Sequence, residues 1–470
     1  MRLIRSYRLL LLAGCLACPA ISYAQADSPS APKPLTIAEA LRYAVEHYPS
    51  VRIALEEVTA ATANVDVARA AYLPRFDSVW QTNRATTNNI FGQLLPQSVI
   101  PGISGPVLAT SSQSVWGSAV GGLLSWEPID FGLRRAMIRG AEAGAARARA
   151  EEAVTLLAVQ NAVAVAYLNV VTAEQAARAA ESDVQRREVL TRTVHTLVNN
   201  QLRPGAEASR ADAERAAALT RSIQARQAVV LAKNTLARVL GMAGGTVEVS
   251  AGQLLASTPA LAPAAVGAEH PFLQSTQAAI ALARAEEAVL SKTNQPRLYL
   301  QSSVSARGSG ASPDGVFEGG ADGLGLERVN WAAGFQIVVP NVFEFSSLRS
   351  RRAAAGARTR IENARRDEAL LAIGAEQRAA TAMVDAARAI AENTPIQLSA
   401  AKQGESQARA RYDAGLTGIV EVADAQNLLA AAEYQDAAAR IEIWRALLAK
   451  AVAEGSMQPF MDLIRAAGAQ

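Results

Sequence analysis

The sequence predicts a mainly α protein with a small β part, built as two copies of one strand-and-long-helix unit. Three observations predict it. Pro49 and the pair Pro74-Arg75 return, with the same spacing, as Pro271 and the pair Pro296-Arg297. Each pair is followed by short alternating segments and by a proline at a strand end, Pro128 or Pro340. A very long Ala-rich run then breaks near glycine, at 202–205 or 415–418, resumes, and stops at Gly241 or Gly455. A shared order at near-constant offset means duplication, and a doubled unit of this kind suits a tube or ring better than a pocket.

The chain starts with a targeting segment, 1–24. Arg2, Arg5 and Arg8 form a basic stretch, an apolar core runs to Cys18, and Ser22-Tyr23-Ala24 is a small-residue cleavage end. Removing it takes the formal net charge from +3 to about zero, which argues against a nucleic-acid partner. Both cysteines, Cys15 and Cys18, lie inside it. Cleavage after Ala24 leaves a cysteine-free mature chain; Leu12-Ala13-Gly14-Cys15 also fits a lipoprotein box, with Cys15 as the lipidation candidate. Either route exports the protein.

Repeat 1 spans 35–241. Residues 35–72 read as a helix with Thr36 and Glu39 as a capping box. Strands follow at about 77–82 and 115–126, separated by a loop rich in Asn, Ser, Gly and Pro. In the second strand, Trp116, Val120, Leu124 and Trp126 share one face and Gly117, Ala119 and Gly121 the other. A helical hairpin covers about 130–241. Its outgoing arm carries Leu156, Val159, Val163, Ala166, Val170, Ala173 and Ala177 at coiled-coil spacing. At 1.5 Å per residue an arm of about 70 residues is roughly 105 Å long.

An equatorial connection is expected at 242–262, and repeat 2 spans 263–455. Its strands lie at about 298–305 and 330–339; Trp331, Ala333, Phe335, Ile337 and Val339 line one face against Gly334 and Gln336. Its hairpin covers about 343–454, with a kink or break expected at Pro395, and 456–470 is a tail. No later stretch of 18 or more apolar residues predicts a transmembrane helix.

Large apolar side chains on one strand face and small or polar ones on the other suit a membrane barrel; one such strand alone fits a soluble core better. Four in two matched pairs favour the barrel. Four strands cannot close one, and an open sheet in lipid leaves edge groups unpaired at several kcal/mol each, so several chains must share a barrel.

Three stretches resemble the TolC family of bacterial outer-membrane efflux proteins. Ala71-Tyr72-Leu73-Pro74-Arg75-Phe76 is similar to the start of that family's first strand. Trp126-Glu127-Pro128-Ile129-Asp130-Phe131-Gly132, followed by Arg134-Arg135, is similar to the end of its second. Arg411-Tyr412-Asp413-Ala414-Gly415 and Val420-Glu421-Val422-Ala423-Asp424-Ala425 are similar to its second hairpin tip. The likeness runs from about 35 to 456. It implies a homotrimeric 12-stranded outer-membrane barrel continued by a periplasmic α-helical barrel of coiled-coil hairpins. It implies a passive conduit for drugs or other small solutes, docked on a periplasmic adaptor and an inner-membrane pump. The first tip departs from the family's Gly-Leu-like turn, with Asn199-Asn200-Gln201-Leu202-Arg203-Pro204-Gly205 in its place.

Glu421 and Asp424 share a helix face and, by the resemblance, are lumenal gate candidates; helix-dipole stabilisation explains acids there equally well. Leu202, Gly205, Gly415, Leu416, Thr417 and Gly418 are the hairpin-tip and adaptor-docking candidates, the glycines also serving as turn residues. His47, His195 and His270 are scattered, and the chain has no Gly-Lys dipeptide, GxSxG or HExxH. No metal, cofactor or enzymatic activity is expected. The competing reading is a periplasmic coiled-coil scaffold or adaptor without a pore.

Overall fold

A computed structural model of the chain describes residues 34–86, 114–242, 247–256, 270–310, 321–340, 343 and 345–468. The targeting segment, Cys15 and, within the connection expected at 242–262, residues 243–246 and 257–262 lie outside the described residues.

The helix expected over 35–72 is two helices. Thr36 and Glu39 form the capping box: the Thr36 hydroxyl accepts from the Glu39 amide at 3.3 Å, and the Thr36 amide donates to the Glu39 carboxylate at 2.8 Å. Helix α1 (Ile37–His47) then ends at Tyr48, whose backbone is extended, and α2 (Pro49–Ala70) starts on Pro49. A residue before proline is driven out of the α region, whereas proline itself is suited to the first helical position.

Strands β1 (Arg75–Thr86) and β2 (Ser114–Ile129) extend beyond the alternating segments that mark them in the sequence. Helices α3 (Leu133–Asn199) and α4 (Gly205–Leu240) form the first long hairpin. A short helix α5 (Gly252–Ala256) precedes α6 (Pro271–Lys292), the second-copy counterpart of α2. Strands β3 (Arg297–Ser309) and β4 (Arg328–Val338) complete the sheet. Helices α7 (Phe345–Asp413) and α8 (Ile419–Ala453) form the second hairpin. The expected tail contains a helix, α9 (Gln458–Gly468), that packs Phe460 edge-on against Trp444 at 6.2 Å between centroids.

Helix α7 is not broken at Pro395; its 69 residues run through it. Proline costs a helix one backbone bond, and packing must hold the neighbouring turns. Here Thr394 is buried and its hydroxyl donates to Asp436 of α8 at 3.2 Å, while Ala391 packs on the central core.

The sheet is a simple antiparallel meander, β1-β2-β3-β4, with one register shift in β2 between Trp126 and Ile129. Phe76, Trp80, Trp331, Phe335 and Ile337 stand exposed on its apolar face. All helices leave from one end of the sheet. Among the described residues, the outer edges of β1 and β4 have no strand partner.

The main core forms a belt where α1, α3, α4, α5, α8 and α9 meet, with Tyr167, Leu236, Leu240 and Trp444 fully buried. The Tyr167 hydroxyl reaches the carbonyls of Leu35 and Ser250, both at 2.9 Å, and the Trp444 indole N–H donates to Leu254 O at 2.9 Å. Helix α3 carries a window of mean hydropathy 1.7, apolar enough by composition to cross a bilayer. Its apolar stretch around 163–171 is buried in this belt.

The duplicated landmarks touch each other. Gly241 and Gly455 both adopt left-handed backbone, at φ 78° and 80°. A Cβ on Gly241 would lie 3.4 Å from the His47 carbonyl, and one on Gly455 would lie 2.8 Å from His270 and Pro271. In each copy, the glycine that ends the long hairpin backs onto the proline corner that begins the unit.

Candidate functional site at the hairpin tips

The two tips turn with the same backbone geometry although their sequences differ. At the first, the amides of Gln201 and Leu202 donate to Val198 O and Leu197 O, both at 2.9 Å. At the second, the amides of Gly415 and Leu416 donate to Tyr412 O at 3.0 Å and Arg411 O at 2.9 Å. These are paired helix-ending bonds around one left-handed residue. That residue is Gly415 (φ 75°) in the second tip and Gln201 (φ 59°) in the first. The next residue in each case is an exposed leucine: Leu202 is 67% and Leu416 72% accessible. The departure seen in the first tip is therefore one of residue type and not of shape.

Gly205 and Gly418 are not left-handed turn glycines. Gly205 is the first residue of α4 behind Pro204, and Gly418 is the extended N-cap of α8. Both tips present a Leu at the apex and a helix start beside it.

Beneath the apices the hairpins are clamped to one another. Leu190, Val194, Ala208, Ala211, Tyr412, Ile419 and Val422 form a separate apolar cluster. Tyr412 is buried within it, and its hydroxyl donates to Glu207 at 3.0 Å. The Arg203 guanidinium donates to Tyr412 O at 2.9 Å, lies 4.6 Å from the Tyr412 ring centroid, and sits 3.8 Å from Glu207. Burial, reinforced by the Glu207 carboxylate, pushes the Tyr412 phenol up to about 12, so it remains a proton donor throughout the physiological range. Arg203 and Glu207 belong to hairpin one and Tyr412 to hairpin two. Sequence spacing misses this trio because Tyr412 lies far along the chain from the other two; the signal available was Tyr412 inside the recognised tip motif.

The predicted acid pair separates. Glu421 lies 3.1 Å from Arg411 and accepts from the Thr417 hydroxyl, so its charge is met within the hairpin. Asp424 is exposed and makes no ion pair among the described residues. The histidines have local partners: His195 meets Asp212 at 3.0 Å, the His270 ring accepts from the Phe272 amide at 3.2 Å, and His47 stacks on Tyr43.

At the opposite end of the long hairpins, the recognised strand exit is a buried polar corner. Arg134 donates from its amide to Asp130 at 2.6 Å and from Nε at 2.9 Å; its guanidinium also reaches Ala71 O and Glu127 O. Phe131 and Gly132 are both left-handed, turning the chain from strand to helix. Burial pushes the Asp130 carboxyl up, but the Arg134 and Gly132 amides and the guanidinium outweigh it and hold the group below its usual range.

A four-stranded sheet with an apolar outer face, set over two helical hairpins far longer than any compact domain needs, defines an outer-membrane duct with a periplasmic extension. The chain belongs to the outer membrane efflux protein family, which it matches over residues 40–242 and 263–449. It is similar to Protein CyaE of Bordetella pertussis, with 26% identity over 427 residues, 87% of this chain and 82% of that protein. Its fold is similar to that of the Campylobacter jejuni CmeC outer membrane channel, at 16% identity and TM-score 0.70, covering 89% of this chain and 85% of that one. It is likewise similar to the outer membrane protein VceC of Vibrio cholerae, at 18% identity and TM-score 0.68, covering 89% and 96%. The protein is an outer-membrane channel of tripartite efflux, a transport conduit of the bacterial outer membrane whose helices extend into the periplasm.

Proposed function

We propose that three copies of this chain close one 12-stranded barrel above a tunnel of twelve long helices, and that the tips meet a periplasmic adaptor and an inner-membrane pump. The conduit is passive: it performs no covalent chemistry, and its energised partners drive drugs or other small solutes through it. The observation that carries this reading is the open meander, whose β1 and β4 edges have no partner among the described residues. Lipid contains nothing to satisfy such edges, so chains joined edge to edge are the physical solution. The apical Leu202 and Leu416 are the natural docking contacts, because paired exposed leucines on a polar surface favour burial against a partner.

Of the acid pair Glu421 and Asp424, Asp424 is the one left to face its symmetry copies, since Glu421 is already paired with Arg411. A ring of three like charges attracts cations. Purified protein is expected to run as a heat-dissociable trimer and to form channels in planar bilayers. Asp424→Ala should relieve block by divalent cations more than Glu421→Ala does. A freely soluble periplasmic protein without conductance would favour the scaffold reading, and equal effects of the two substitutions would remove the special role of Asp424.

A further inference from the structure

The two copies of the repeat are not equally covered. Repeat 1 supplies the helices α2, α3 and α4, and repeat 2 their counterparts α6, α7 and α8. Four of these pack on α3: α2 and α4 from its own repeat, α6 and α8 from the other. Among the described residues, α7 packs extensively only on α6 and α8. It lacks the second pair of partners that its counterpart α3 has, and one flank is bare.

That flank is apolar. A helix turns about 100° per residue, so side chains two apart lie on nearly opposite sides. Leu371 and Ile396 stand two residues beyond the buried Ala369 and Thr394, and are 77% and 69% accessible. Helix α2 is built the same way, with Ile53 and Val67 exposed two residues beyond the buried Val51 and Val65. Helix α4 exposes Leu219 and Ile223, one turn apart. The packing order α2-α3-α6-α7 follows the strand order β1-β2-β3-β4, so the bare flanks of α2 and α7 continue the two open edges of the sheet. On the tip side of the belt the order is α4-α3-α8-α7, again with α7 at one edge.

The internal joint supplies a register for these flanks. An offset of 214 residues relates Gln201 to Gly415 and Gly241 to Gly455. Arg186 of α3 grips Glu433 of α8 with bonds of 3.1 and 2.8 Å. At the same offset, the matching positions are Ala400 of α7 and Leu219 of α4, both exposed. Ile396 and Ile223 lie one turn from them. Where the internal joint has an ion pair, the two bare flanks have aliphatic residues. Length agrees as well: α2 and α4, of 22 and 36 residues, meet at the Pro49–Gly241 corner and together run nearly the length of α7, with 69.

We propose that the missing partners of α7 are α2 and α4 of a second copy, seated on it as α6 and α8 are seated on α3, with Ile396 and Ala400 against Leu219 and Ile223. This rests on the trimeric-conduit reading and fixes the helical register between copies, which strand pairing leaves open. The joint is heterologous, α7 of one copy on α2 and α4 of the next, so repeating it closes a ring. Contiguous apolar surface marks such an association site. An aliphatic seam between copies beside a charged joint within each copy also keeps the two joints from exchanging partners, because a misplaced Arg186 or Glu433 would lie unpaired against leucine.

The test uses full-length protein in detergent, with a short bismaleimide to join introduced thiols. L219C/A400C should give covalent dimers and trimers on a denaturing gel, where the unsubstituted protein runs as monomer. L219C alone should give none, because the seam never sets two copies of Leu219 together. Dimers from L219C alone overturn the proposal. So does an L219C/A400C protein that is trimeric and conducts in planar bilayers yet yields no covalent product. If the cysteine pair does not assemble, charge decides: L219E should lower the temperature at which the trimer dissociates, and L219E/A400R, which transplants the internal ion pair, should recover most of that loss. An unshifted L219E, or a loss that A400R leaves untouched, overturns the seam. A wild-type protein that is neither trimeric nor conducting defeats the conduit reading itself, and is distinct from a trimer joined through other surfaces.

Discussion

Gln201 holds a backbone conformation that glycine holds at the equivalent point of the other tip. A side chain in the left-handed region costs roughly 1–2 kcal/mol, because Cβ crowds the following carbonyl. Gln201→Gly is therefore expected to stabilise the first tip by about 1 kcal/mol, slowing hydrogen exchange at the Leu202 amide about fivefold. Gly415→Gln should act in the opposite sense at Leu416. Unchanged exchange in both variants would mean that the tips are held by their neighbours and not by their own turns. The same comparison shows what residue-level reading can reach. Gly241, Gly455, Pro49 and Pro271 were legible because backbone sterics leave few alternatives at such corners. Gln201 was not, because nothing in a glutamine announces a left-handed turn; only the bond pattern shared with Gly415 reveals it.

At the scale of elements, the two hairpins are joined midway between the core belt and the tips by a buried polar junction. Arg187 of α3 is fully buried. It donates to Asp183 at 3.0 and 3.1 Å, to Glu214 of α4 at 2.8 Å, and to Asn427 of α8 at 2.6 Å. Arg221 also reaches Asp183 at 3.1 Å, and Arg186 grips Glu433 of α8 with two bonds. Truncating one partner of such a group leaves a buried charge uncompensated, which costs about 3–5 kcal/mol. Arg187→Met should lower the thermal unfolding midpoint of the detergent-solubilised protein sharply, and Arg187→Lys should not restore it, since an ammonium cannot span three partners in a plane. Adding Asp183→Leu to Arg187→Met should recover part of the loss; a Met variant as stable as wild type would show that the junction contributes nothing net. Helix lengths and hairpin topology were readable from runs free of proline and glycine, and the strands from alternation repeated in two copies. This junction was not readable, because its members come from three helices and each looks like an ordinary surface charge. Helix α9 escaped for a related reason: it is short, and its apolar face means little until Trp444 is placed beside it.

Across the whole molecule, hairpin one meets hairpin two at three levels: the core belt, the Arg187 junction and the tip cluster. Opening a tunnel at its tip requires only the last of these to part. The belt is built of large buried apolar side chains and the junction of several charged bonds, so both should persist while the tips separate. Among the described residues the polar part of the tip contact is narrow, consisting of Arg203, Glu207 and Tyr412. Tyr412→Phe keeps the ring in its apolar cluster and its stacking under Arg203, and removes one bond between the hairpins. Losing a hydrogen bond to a partly buried carboxylate costs about 1.5 kcal/mol, which makes the separated state roughly tenfold more populated. The variant should show a higher single-channel open probability in planar bilayers, with little change in thermal midpoint because the belt and junction are intact. A raised tyrosine pKa sharpens the expectation. Wild-type channels should not open through Tyr412 ionisation until the pH approaches about 12. A pH-driven opening near neutrality that persists in Tyr412→Phe would place the controlling contact elsewhere, and an unchanged open probability would show that the apolar cluster alone holds the tips together.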